Sequence, residues 1–276
     1  MRKFLSALLL TLCVSPSMTQ QPQRALNEGL VIHQRLESQL PLDAVLRNED
    51  GQEVKLGEYF NKGRPVVLML VFYQCRGTCT QGLNGMVTCA KAMKTLDIGR
   101  DYDIVTVSIH PKETPEMARD KKEAYLQIYG REGGKKGWHF LVGDMMTVRS
   151  IADAVGFKYI YDAEKNTVRH PSGVMVITPE GKVSRYFFGT MYPQKQMLAA
   201  LDSAASGQIG TAVEKPVYAF CIQYDPNTGR YTLLVTNALV VLCLLTVGVL
   251  GSYIFVQTRK YRYDLPKAAE EPDPSR

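Results

Sequence analysis

Histidine is scarce in this chain: the 276 residues hold four, at positions 33, 110, 139 and 170. Any chemistry that needs imidazole has few places to find it. Dense Lys/Arg blocks interleaved with aromatics are missing too, and the net charge of +6 is scattered. That absence removes the basic footprint expected of a nucleic-acid-binding domain. No internal repeat is present. What remains is an ordinary globular composition, 45% apolar, in a length that allows one or two domains.

Apolar runs mark both ends. Met1-Arg2-Lys3, the apolar stretch 4–14 and the small residues at 15–17 have the layout of an export signal. The stretch is short of the roughly 20 residues that cross a bilayer. Cys13 raises a lipoprotein reading, but Leu12 is bulky where a lipobox takes a small residue. The second run, TLLVTNALVVLCLLTVGVLGSYIFV, is uncharged and long enough to span. Arg259, Lys260, Arg262 and Lys267 follow it, whereas Arg230 alone stands immediately before. The positive-inside rule then sets the tail in the cytoplasm and the upstream domain outside, on the periplasmic side of a cell inner membrane. The expected divisions are a signal at 1–17, an extended lead-in at 18–42 and a domain at 43–206. A connector at 207–230, a single span at 231–256 and a cytoplasmic tail at 257–276 complete the chain.

Export changes how the cysteines are read. Outside the membrane, thiols meet oxidants and must be protected, used or held by metal. With Cys13 in the signal and Cys243 in the span, the exported part keeps Cys75, Cys79, Cys89 and Cys221.

Within the domain, Asp50-Gly51 predicts a hairpin turn. PVVLMLVFY, 65–73, predicts a central strand buried on both faces, followed by a helix over 80–95. Strands are expected at 102–109, 138–142, 174–177 and 183–188, with an extended piece at 157–161. Helices are expected at 114–129, 147–155 and 193–205, the first opened by a Thr114 cap and Pro115. The glycine-rich stretch 130–137 reads as a flexible loop. The order predicts an α/β fold, a mixed sheet flanked by helices, with one C-terminal transmembrane helix. A buried strand running into a cysteine-bearing loop and then a helix is the thioredoxin-like layout.

That loop is FYQCRGTCT, 72–80. Cys75 and Cys79 lie where a strand gives way to a helix, and N–H groups at a helix start favour thiolates. The pair can serve as a redox dithiol, although thioredoxin-type motifs space their cysteines by two residues. It can also supply two soft ligands, suited to Cu(I) rather than Mg or Ca and too few alone for tetrahedral zinc. A third ligand discriminates. His33 falls in the lead-in and His139 inside a strand, where a packed ring is expected. His110 ends a strand at the cysteine end of the sheet, if the strands are parallel. His170 lies in a loop before a late strand.

The sequence resembles the Sco/SenC family over about 43–205, through PVVLMLVFYQCRGTC, VTVSIHPKETPEMARDKKEAYLQIYG, WHFLVGD and HPSGVMVITPEGKVSRYFFG. The resemblance implies a thioredoxin-like copper protein that assists assembly of the CuA site of cytochrome c oxidase. Copper would be bound as Cu(I) or Cu(II) by Cys75, Cys79 and His170. The implied partners are the CuA-bearing subunit, or another copper-transfer protein, and the membrane. A metallochaperone is implied before an enzyme. The alternatives are a thiol–disulfide reductase using Cys75 and Cys79, a thiol peroxidase, and a docking module with a structural disulfide. Against the peroxidase, Arg76 stands three residues before Cys79, where peroxiredoxins place Thr. The chain departs from familiar members in five places. Arg76 and Thr80 replace prolines, Arg169 replaces Asp, His110-Pro111 replaces Asp-Pro, and the anchor is C-terminal.

Overall fold

The computed structural model describes residues 30–75, 78–213 and 233–263, without the side chains of 78, 79, 233–239 and 261–263. The signal, Cys13, Cys221, most of the connector and residues 264–276 lie outside the described residues. Two units are distinguished, 1–221 and 222–276.

The first unit is built on β3 (Val66–Val71), whose six residues are all buried. Alternate side chains point to opposite faces of a strand. Val67, Met69 and Val71 accordingly join one core cluster, while Val66, Leu68 and Leu70 join another. Each such side chain contributes about 1.5–3 kcal/mol by burial. β3 pairs in parallel with β4 (Asp103–Ser108), which pairs in parallel with β5 (Trp138–Leu141). On its other side lie β8 (Gly173–Ile177) and β9 (Val183–Phe188), both pairings antiparallel. The order is β5-β4-β3-β8-β9, the mixed sheet expected.

Helices α1 (Thr78–Ala92), α2 (Pro115–Tyr129) and α5 (Gln194–Ala205) feed the first cluster. Helix α4 (Met145–Ala154) feeds the second. Thr114 caps α2 as expected, its hydroxyl accepting from Met117 N at 3.4 Å. Around the Asp50-Gly51 turn, β1 (Val45–Arg47) pairs antiparallel with β2 (Glu53–Lys55).

The stretch 130–137 differs from expectation. It contains a short helix, α3 (Gly133–Gly137). A Cβ on Gly133 would lie 2.2 Å from the Ile98 carbonyl oxygen, and one on Gly137 2.2 Å from Gly99 N. These glycines allow close backbone packing. A second addition is the small hairpin of β6 (Ile160–Asp162) and β7 (Thr167–Arg169), turned at Asn166 with φ 48°. It delivers the chain to His170.

In the second unit, α6 (Leu233–Tyr263) carries an apolar stretch, Val240–Lys260, with hydropathy 2.2. At 21 residues and 1.5 Å each, that stretch matches a hydrocarbon core of about 30 Å. Thr246 directs its hydroxyl to the Leu242 carbonyl at 2.7 Å, satisfying it within the helix.

Candidate metal centre

Because β3 and β4 run parallel with Val71 opposite Ser108, the segments leaving them emerge at one end of the sheet. Phe72 to Cys75 leave β3, and His110 to Glu113 leave β4. The first segment is held tightly. Tyr73 is buried, with its hydroxyl 2.8 Å from the Leu141 carbonyl oxygen and 3.0 Å from that of Thr106. Its backbone N–H donates to the Glu113 carboxylate at 2.9 Å, and the N–H of Gln74 does so at 2.7 Å. Cys75 N–H closes a turn onto the Phe72 carbonyl at 3.2 Å.

Cys75 is partly buried against the first core cluster. Its carbonyl accepts from the Thr80 hydroxyl at 2.6 Å, tying the loop to the first turn of α1. Cys79 is the second residue of α1, and its side chain lies outside the described atoms. Thr80→Val keeps the shape and removes this bond. The variant should lose about 1 kcal/mol of stability, the usual net worth of one hydrogen bond. A lower urea midpoint at unchanged m is the sign to look for, and an unchanged midpoint would show that the bond adds nothing.

His170 follows β7 and is partly buried, stacked on Phe157 with centroids 5.9 Å apart. Its Nδ1 lies 2.6 Å from the Pro171 carbonyl oxygen. A carbonyl cannot donate, so Nδ1 carries the proton and Nε2 carries the lone pair, the tautomer a metal ligand needs. Burial pushes the His170 pKa down, while the Pro171 hydrogen bond and the Cys75 charge pull it up. Ser172, two residues on, faces α1: a Cβ on Gly82 would lie 3.7 Å from its hydroxyl.

The other histidines separate cleanly. His33 is exposed. His139 pairs with Val105 near the opposite end of the sheet and packs on Tyr59 at 4.4 Å, the packed ring expected. His110 is buried at the cysteine end, stacked on Phe72 at 4.7 Å. Cys89 is a buried thiol of α1, its pKa pushed up to about 11 by burial. Among the described side chains no group of three His, Cys, Asp or Glu gathers at one point, and Cys79 is not among those side chains. Glu113 and Thr80 were not expected as parts of the site. On the cysteine loop both act on backbone groups, which leave no pattern of residue types to read.

Residues 38–206 match the family model described as SCO1/SenC. The chain belongs to that family. A comparison with curated proteins finds no match. Among solved structures, a candidate electron transport protein of Aquifex aeolicus VF5 is 25% identical, with TM-score 0.51 over 63% of this chain and 100% of that one. A SCO1/SenC family lipoprotein of Bacillus anthracis is 19% identical, with TM-score 0.51 over 63% and 99%. BsSco, described as a member of the Sco family of cytochrome c oxidase assembly proteins with a disulfide switch, is 21% identical, with TM-score 0.50 over 63% and 98%. The shared feature is the thioredoxin-like Sco fold, a five-stranded mixed sheet flanked by helices. Thr80 supplies a hydroxyl bond to the Cys75 carbonyl that a proline at this position could not.

Proposed function

We propose that this SCO1/SenC protein carries copper as cargo on Cys75, Cys79 and His170 and delivers it during assembly of the CuA site of cytochrome c oxidase. The observation that carries the reading is the His170 ring itself, part-buried after β7 with its Nδ1–H committed to the Pro171 carbonyl, which leaves Nε2 as the donor atom for a metal. Two thiolates and one imidazole are soft enough for Cu(I), and the nitrogen accommodates Cu(II). The domain of 43–206 stands outside the inner membrane on the connector 207–230. The span at 231–256 holds it there, and the tail 257–276 is cytoplasmic. Tethering raises the effective concentration at a membrane-bound acceptor without new contacts.

Copper titration of the detergent-solubilised full chain tests the ligand set. His170→Ala should weaken Cu(I) binding at least about tenfold, more than the low end of what loss of an outer-shell partner costs. It should also remove the nitrogen-dependent features of the Cu(II) spectrum. A His170→Ala protein that binds both ions like the parent would end the three-ligand reading.

A second reading rests on the position of Cys79 in the first turn of α1, just beyond Cys75. The pair acts as a thiol–disulfide reductase: two thiols become a disulfide while a target disulfide becomes two thiols. Metal-independent reduction of a CuA-type disulfide, lost on Cys75→Ser or Cys79→Ser, supports it over copper delivery.

A further inference from the structure

The turn after β4 reaches both halves of the site. The Ser108 hydroxyl donates to the Glu113 carboxylate at 2.5 Å and accepts from His110 N at 3.1 Å. Glu113 N donates to the His110 carbonyl at 3.2 Å. The turn is thus closed on itself, and the side chains of Glu113 and His110 reach outward from it. The buried Glu113 carboxylate takes the N–H groups of Tyr73 and Gln74, the two residues before Cys75.

His110 reaches from the first segment to the second. Its Nδ1 accepts from Lys112 N at 3.2 Å, so in the neutral ring the proton sits on Nε2, 3.3 Å from the Asn166 carbonyl. The ring stacks on Phe72 at an 11° interplanar angle and meets Tyr161 edge-on at 5.2 Å. Tyr161 and Asn166 belong to the β6–β7 hairpin, whose last residue, Arg169, precedes His170. A two-stranded hairpin of three-residue strands has little stability of its own. It needs an external hold, and His110 supplies a hydrogen bond to Asn166 and a ring contact to Tyr161.

We infer that the turn 108–113 is a bracket that sets the distance between the Cys75 loop and the His170 loop, with Glu113 fixing the first and His110 the second. Both are positioning residues; neither is a ligand. The inference rests on the copper reading for its purpose, while the bracing itself can be measured without metal. The His110 ring thus joins Phe72 on the cysteine segment to Tyr161 and Asn166 of the hairpin.

The test uses the full chain in detergent and two readouts, amide hydrogen exchange over 160–169 and the copper spectrum. His110→Ala should raise hairpin exchange about tenfold, the loss of roughly one hydrogen bond. It should also weaken Cu(I) binding about tenfold, as loss of an orienting partner does, and shift the Cu(II)–thiolate band. His110→Gln, which keeps an N–H for Asn166, should recover much of both. Glu113→Gln should shift the band while leaving hairpin exchange at the parent value. Parent-like exchange in His110→Ala overturns the bracket, as does raised exchange with an unshifted band. Raised hairpin exchange in Glu113→Gln also overturns it, because that reports general loosening. If His170→Ala binds copper like the parent, the copper reading falls, and hairpin exchange still judges the brace.

Discussion

Gly85→Ala should destabilise the domain by about 3 kcal/mol, the upper part of the usual cost of forcing atoms into a packed site. In a solvent-facing helix interior this change would be stabilising, since alanine is the better helix former by about 1 kcal/mol. Here the added Cβ would sit 1.8 Å from the Thr190 carbonyl oxygen and 3.0 Å from its carbon. Both atoms are backbone, so no side chain can rotate away. Helix α1 and the segment around Thr190 must separate. That segment carries Tyr192, whose ring packs in the first core cluster and whose hydroxyl lies 3.5 Å from a Cβ built on Gly82. The disturbance therefore reaches the α1 turn bearing Cys79 and the neighbourhood of Ser172. Urea unfolding of parent and variant measures the cost, and copper titration should show weaker binding in the folded variant. A variant at least as stable as the parent would mean that the two segments separate without penalty.

His139 should make the domain acid-sensitive. Burial, aided by the charges of Lys122, Lys62 and Arg64, lowers its pKa to about 3. Its Nε2 is buried with no hydrogen-bond partner among the described residues, so a proton placed there meets no acceptor among them. The unfolded chain takes up that proton near the ordinary histidine value of about 6.5. Between that value and about 3 the unfolded state binds more protons, so stability rises with pH. The contribution is fully present above the unfolded pKa and is lost as pH falls, at up to about 1.4 kcal/mol per pH unit. Asp103 runs the opposite way, because burial raises its pKa. It is common to parent and variant and cancels in their difference. His139→Phe keeps a ring against Tyr59 and removes the titration. Urea midpoints from pH 7 to pH 4 should converge on the acid side, with the variant losing less. Parallel pH profiles for the two proteins would refute the assignment.

The contrast between α2 and α3 shows what residue types can reveal. Thr114 and Pro115 act through their own geometry, so the start of α2 is legible from two letters. The strand of β3 is legible for the same reason, since six consecutive apolar residues are all buried. In 130–137, glycine was read for its freedom, but at Gly133 and Gly137 its use is the missing side chain, which lets backbone reach Ile98 and Gly99. That need arises only once distant segments have met. The site divides along the same line. Cys75, Cys79 and His170 belong to residue types with chemistry of their own, and the family resemblance assigned them. Glu113 and Thr80 act on the backbone of Tyr73, Gln74 and Cys75. In sequence, Glu113 looks like one more acidic residue before a helix.

The strand order also gives the site a direction in time. β3 lies in the middle of the five strands, paired on both sides, and the Cys75 loop continues directly from it. β6 and β7 form a two-stranded sheet apart from it. Local opening is drawn from the least stable elements, whereas central strands open only with global unfolding. For a metal held by Cys75, Cys79 and His170, the hinge is then the hairpin, and the imidazole is expected to let go before the thiolates.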